Sequence, residues 1–247
     1  MRWYTYDVEC FAHDFIVVFK DKETGEYAVF HNDNAGVRDF INDESVYCGF
    51  NSKGYDQYII KAIASGFSPE EVKQVNDWII GGGQGWQCPL FEGVYYRFNN
   101  VDIMDDMQIG LSLKAIEGHL GLDIEETEVD FNLSRPLTVE ELQLTIKYCK
   151  HDVDATEYLT DLRKSYLENK LYLGRLKEID DVKSLSMTNA KLTALYLDAK
   201  REYEYTDERC YKYPTNLKRE YIPDEVFEFF DKLKDESISD DDLFKSK

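Results

Sequence analysis

The stretch WYTYDVECFAHDFIVVFKDKETGEYAVFH, residues 3–31, decides how this chain folds. Residues 3–9 alternate, and DFIVVFK (14–20) and EYAVFH (26–31) are runs rich in β-branched and aromatic side chains. KETGE, with Gly25, joins the last two as a hairpin turn. Three antiparallel strands are therefore expected at the start. Working outward, a short helix is expected over 35–42, a buried strand at VYCGF (46–50) and a helix over 55–64. Pro69 sits where a first-turn proline belongs in SPEEVKQVNDWII. VYYRFNNVDIM (94–104) reads as a further strand, and LSLKAIEGHLGL (111–122) as an amphipathic helix ending near Gly121.

After an acidic loop over 123–136, the longest helical pattern runs from Thr138 to about Glu168. It opens on a capping box, Thr138 with Glu141, and carries a stripe of Leu142, Ile146, Cys149, Val153 and Leu159. Beyond 170 the pattern is helical and charged, most apolar in SLSMTNAKLTALYL (184–197), and the polar tail 235–247 is expected to fray. GGGQG (81–85) reads as a mobile loop; it is no phosphate cradle, because no Lys-Ser/Thr follows. Three strands followed by alternating helices and strands give an α/β domain over 1–170, a mixed sheet flanked by helices, with a mostly helical extension over 171–247.

The net charge of −20 argues against a generic nucleic-acid binder, which usually shows a basic surface. Its distribution is uneven: residues 1–150 carry 26 acids and 12 bases, whereas 163–219 carry 13 bases and 9 acids. The second segment is expected to supply phosphate contacts, with weak and salt-sensitive affinity. No apolar run is long enough for a membrane span. The five cysteines (Cys10, Cys48, Cys88, Cys149, Cys210) form no C-x-x-C pair, which points to buried thiols and a reducing cytoplasm.

Three local patterns carry chemistry. Asp7 and Glu9 lie two apart on a strand, so they project from one face beside Thr5. Side-by-side carboxylates repel unless a cation sits between them, although a solvent-facing strand edge also carries such pairs. Asp56 in NSKGYD follows a strand and starts a helix, where capping alone would explain it; Asn51, an ordinary turn residue otherwise, could donate to a phosphate or sugar oxygen. Tyr148 and Asp152 in YCKHD are four apart on a helix, stacked about 6 Å along its axis. Hard oxygen ligands of this kind suit Mg²⁺ or Mn²⁺, and two ions about 4 Å apart can stabilise both oxygens of a phosphoryl displacement. Asp102 ends a strand and could support the site, with Asp105 and Asp106 as helix-start residues; His151 lies about 100° from Asp152 round the helix and is set aside.

In order, D-x-E, N-x-x-x-[F/Y]-D and Y-x-x-x-D resemble the three motifs of the tyrosine subclass of the DEDD exonuclease superfamily. The chain supplies Asp7-Val8-Glu9, Asn51 to Asp56, and Tyr148 to Asp152. VDIMDDMQIGLSLKAIEGHLGL resembles the strand and helix between the second and third motifs, and YCKHDVDAT and SLSMTNAKL resemble the N-terminal proofreading domain of phage DNA polymerases in particular. The resemblance implies a ribonuclease H-like fold and 3′→5′ removal of nucleotides from single-stranded DNA or DNA 3′ ends with two Mg²⁺ or Mn²⁺ ions. It further implies that Asp7, Glu9 and Asp152 hold one ion, that Asp7 with Asp56 holds the other, and that Tyr148 orients the attacking water. Cys10 and Phe11 are expected to contact the terminal nucleotide, although a core role suits Phe11 equally. No polymerase palm follows, so a stand-alone exonuclease that binds a polymerase subunit and a fragment of a polymerase are both open. So are an RNA-trimming enzyme and a non-catalytic binding or inhibitory module with a relic site.

Overall fold

The computed structural model describes residues 1–107, 110–199, 220 and 222–233. Strands β1 (Arg2–Cys10), β2 (Phe15–Asp21) and β3 (Tyr27–His31) are followed by helix α1 (Asn34–Phe40), strand β4 (Ser45–Gly49) and helices α2 (Asp56–Ala64) and α3 (Pro69–Ile80). Then come β5 (Asn100–Asp102), α4 (Leu113–Leu120), α5 (Val139–Leu162), α6 (Lys164–Leu176), α7 (Asp181–Ser186), α8 (Asn189–Tyr196) and α9 (Asp224–Leu233).

The sheet order is β3-β2-β1-β4-β5. β1 pairs antiparallel with β2, and β2 with β3, as the opening stretch requires; β1–β4 and β4–β5 are parallel. Alternation sorts the side chains. Tyr4, Tyr6, Val8, Phe15, Val17 and Phe19 point into one core. It is closed by Val37, by Ile59 and Ile63 of α2, and by Val72 and Val75 of α3. Ile16 and Val18 point the other way, onto Cys149 and Val153 of α5. Both faces are covered, so β2 is apolar on both sides, and a charge on the central strand β1 stands out.

Three expectations change. Only Asn100–Asp102 of the run 94–104 joins the sheet. Before it, Phe98 packs ring to ring, 4.9 Å from Tyr47 and 5.3 Å from Tyr6, so aromatic contacts replace ladder pairing. The helix expected to reach Glu168 stops at Leu162, because the Arg163 guanidinium is drawn onto the carbonyls of Ile103 and Asp105 behind β5. The chain restarts as α6, and SLSMTNAKLTALYL divides into α7 and α8 where Thr188 caps the second. Third, the glycine run is packed. A Cβ on Gly85 would meet the Tyr58 ring at 2.2 Å and one on Gly83 the Trp78 indole at 2.3 Å, while Trp78 Nε1 donates to the Gln84 carbonyl at 3.0 Å. Close approach of rings, not mobility, accounts for these two glycines.

The boundary expected at 170 falls inside α6. Leu167 and Leu185 pack with Val46, Val101 and Ile103 beneath the sheet, and the first compact unit runs Met1–Ala199. The second unit, Lys200–Lys247, contains α9 among its described residues; Cys210 and the tail 235–247 lie outside them. Among the described residues no helix is long and apolar enough to cross a membrane.

Candidate metal centre

Strand β1 delivers the first acids. Tyr4, Tyr6, Val8 and Cys10 occupy one face, which leaves Thr5, Asp7 and Glu9 on the face turned toward α5. β1 runs past its pairing with β4, which ends at Thr5↔Cys48, so Asp7 and Glu9 reach the C-terminal edge of the parallel strands. Ligand crevices in open α/β sheets lie at that edge.

The turn after β4 brings the second motif. Asn51 has a left-handed backbone (φ 55°), and the Gly54 N–H donates to its carbonyl at 3.1 Å. Asp102, buried at the end of β5, accepts from the backbone N–H groups of Lys53 and Met104 at 2.9 Å each. It therefore fixes the turn that precedes Asp56. Asp105 and Asp106 begin no helix: Asp105 pairs with Lys53, and Asp106 accepts from the Tyr166 hydroxyl. Asp56 then opens α2, buried, with its carboxylate among backbone donors.

A cleft of about 500 Å³ is lined by Asp7, Glu9, Asn51, Asp56 and Asp152, with apolar walls that include Phe50 and Leu113. Acids from three remote segments thus share one cavity. Burial first, then the charge of Asp152, pushes the Asp7 carboxyl up to about 7. Burial raises Glu9 well above the usual carboxylate range, with Asp7 and Asp152 adding to it, and burial with Asp7 does the same for Asp56. Such a cluster disfavours its own ionisation and is relieved by a cation.

Ligand atoms of Asp7, Glu9 and Cys149 lie within 4.8 Å of one another, as do those of Glu117, His151 and Asp152, so either group can hold a metal ion. The Cys149 thiol donates to Asp7 Oδ2 at 3.4 Å, and burial, with the charges of Asp7 and Glu9, drives its pKa well up. Comparisons with protein-family models, curated proteins and solved structures find no match for the chain.

Tyr148 stands beside the cleft without lining it. Burial first, and then the charges of Asp152 and Glu9, raise its phenol well above the ordinary range. Two expected contacts are displaced. Phe11 is fully buried, stacked 5.1 Å from Phe131, and Cys10 belongs to the core under β1. Their side chains follow the two-residue alternation into packed layers, out of reach of a substrate.

One residue was missed. Lys114 on α4 forms an ion pair with Asp152 and lies 4.7 Å from the centre of the Tyr148 ring. Its local signal is a cation in the first turn of a helix, where the dipole disfavours it. Among the described residues of the basic stretch from 163, Arg175 pairs with Asp181 at 2.7 Å and Lys177 with Asp198 at 2.8 Å. Residues 200–219 of that stretch lie outside the described residues.

Proposed function

We propose that the chain is a metal-dependent 3′→5′ exonuclease acting on single-stranded or frayed DNA ends, built on a ribonuclease H-like sheet. The convergence of Asp7, Glu9, Asp56 and Asp152 on one cleft carries this reading. The five-stranded sheet, antiparallel over β3-β2-β1 and parallel beyond, is compatible with that fold. The donor set is all carboxylate oxygen, which suits Mg²⁺ or Mn²⁺, and the raised pKa values of Asp7 and Glu9 are what an ion between them would reverse.

Asp7, Glu9 and Asp152 would hold one ion and Asp7 with Asp56 a second. Bound there, the ions supply an activated water and charge stabilisation for the departing 3′ oxygen. The protein's own part is positional. Cys149 orients Asp7 through its thiol, and Lys114 holds Asp152. Tyr148, beside the cleft and next to Asp152, would orient the attacking water by hydrogen bonding through its phenol. Asn51, exposed at the lip, offers an amide to a phosphate or sugar oxygen. The net charge of −20 favours weak, ion-dependent binding of DNA, which fits an enzyme fed by an associated polymerase subunit.

The test is digestion of 5′-labelled single-stranded DNA with Mg²⁺ or Mn²⁺, beside an RNA oligonucleotide of the same sequence. The parent is expected to shorten DNA stepwise and Asp7→Ala to leave it intact. Equal rates for the two proteins would end the enzymatic reading, and preferential shortening of RNA would redirect it to that substrate.

A further inference from the structure

A second cluster lies between α4 and α5. Glu117 of α4 is 1% exposed, and neither of its carboxylate oxygens makes a hydrogen bond. His151 Nε2, also buried, lacks one too. The two approach closely, Oε1 to Nε2 2.9 Å, without hydrogen-bond alignment. Glu117 Oε2 lies 3.6 Å from Lys114 Nζ, an ion-pair distance that leaves the oxygen unsatisfied. A buried carboxylate whose oxygens accept no hydrogen bond is poorly compensated for its lost hydration, even with cationic groups at ion-pair distance.

Two ligands each about 2.1 Å from one ion stand about 3.0 Å apart at the right angle of octahedral coordination and about 3.4 Å apart at the tetrahedral angle, with both lone pairs aimed at the ion and not at each other. The Glu117–His151 spacing of 2.9 Å matches the octahedral case, and a ligand atom of Asp152 completes a group within 4.8 Å. A separate pocket of about 200 Å³, lined by Glu117, Asp123, His151, Asp154 and Tyr158, opens beside the cluster.

We propose that Glu117, His151 and Asp152 form a site for a borderline transition-metal dication such as Zn²⁺ or Co²⁺, distinct from the carboxylate cleft. One imidazole and two carboxylates select such ions over Mg²⁺, which demands oxygen ligands. The ion fastens α4 to α5 and shares Asp152 with the cleft. Its binding does not depend on the nuclease reading.

The experiment titrates the full chain with Co²⁺ in excess Mg²⁺, following visible absorption, paramagnetically shifted imidazole resonances and bound stoichiometry. The parent is expected to take one Co²⁺ that Mg²⁺ does not displace, with one shifted imidazole. His151→Gln, with unchanged circular dichroism, is expected to lose at least about tenfold in affinity, while Asp7→Ala keeps it. Equal affinity in His151→Gln, or loss in Asp7→Ala alone, overturns the site. So does a Co²⁺-loaded parent without any shifted imidazole, however the variants fold. Absent nuclease activity together with retained Co²⁺ binding would sink only the enzymatic reading.

Discussion

Lys114 and Asp152, 38 residues apart, form an ion pair at the edge of the cleft, and the same ammonium rests over the Tyr148 ring. One cation therefore ties together the carboxylate and the phenol of the third motif. It holds Asp152 in place, and it also competes for that carboxylate with any bound ion. Lys114→Ala is expected to lower turnover on single-stranded DNA about 10²-fold, the usual loss when one preorganised charge is removed, while half-saturation shifts to lower Mg²⁺. Steady-state cleavage across a Mg²⁺ series reads both. Unchanged turnover would make the pair structural only.

The acids of the cleft set a pH dependence for the metal-free protein. Asp7 is raised from 3.8 to about 7, so across that window the folded state binds more protons than the unfolded chain. Stability must then fall as pH rises from about 4 to 7, by linkage. In EDTA, melting at pH 8 is expected at least about 3 °C below that at pH 5.5, since about 1 kcal/mol moves a chain of this size by 2–4 °C. Adding Mg²⁺ or Mn²⁺ at pH 8 should recover the difference. Calorimetry at both pH values with and without ion decides it, and a flat profile would mean that Asp7 is neither desolvated by burial nor crowded by the charge of Asp152.

Phe11 tests the core against the substrate assignment. Its buried ring stacks on Phe131, so Phe11→Ala is expected to cost about 3–5 kcal/mol and to leave KM for DNA unchanged at a temperature where the variant is folded. Denaturant unfolding and kinetics separate the two. A raised KM with little loss of stability would return the ring to the substrate.

Much of this organisation is legible in the chain. The run from Trp3 to His31 dictates the antiparallel half of the sheet through period-two alternation, and the Thr138–Glu141 box marks the start of α5. The acids of the cleft announce themselves because β1 is the central strand and is otherwise rich in Trp, Tyr and Val, so Asp7 and Glu9 have no ordinary reason to be there. What escapes is set by tertiary contacts. Arg163 breaks a continuous helical pattern because carbonyls behind β5, sixty residues earlier, attract its guanidinium. Phe98 leaves the β5 ladder to stack on Tyr47, and Lys114 finds Asp152 only once α4 lies along α5. Periodicity reports which face of an element is apolar; it does not report which remote partner that face meets.

The glycine run gives a further check on packing against mobility. Gly85→Ala places a methyl 2.2 Å from the Tyr58 ring, which must shift. The expected loss is about 1–3 kcal/mol, as for other overpacked sites, visible as a lower urea midpoint with an unchanged slope. A neutral result would show that the segment yields freely.

Asp7→Asn brings stability and function into opposition at one atom. The amide keeps the shape of the carboxylate but removes the charge that most strongly raises Asp56 after burial and also raises Glu9. In EDTA at pH 8 the variant should therefore melt above the parent, because a like-charge interaction inside a buried cluster has been deleted. With Mg²⁺ the order should reverse, since the parent gains the free energy of ion binding and the variant has lost a ligand shared by both ions. Turnover should fall to background under the same conditions. The crossing of the two melting curves with added ion is specific to a metal cage: a site kept only for packing would give parallel curves, and a variant less stable in EDTA would show that Asp7 is held by its Cys149 and backbone donors more strongly than its neighbours repel it.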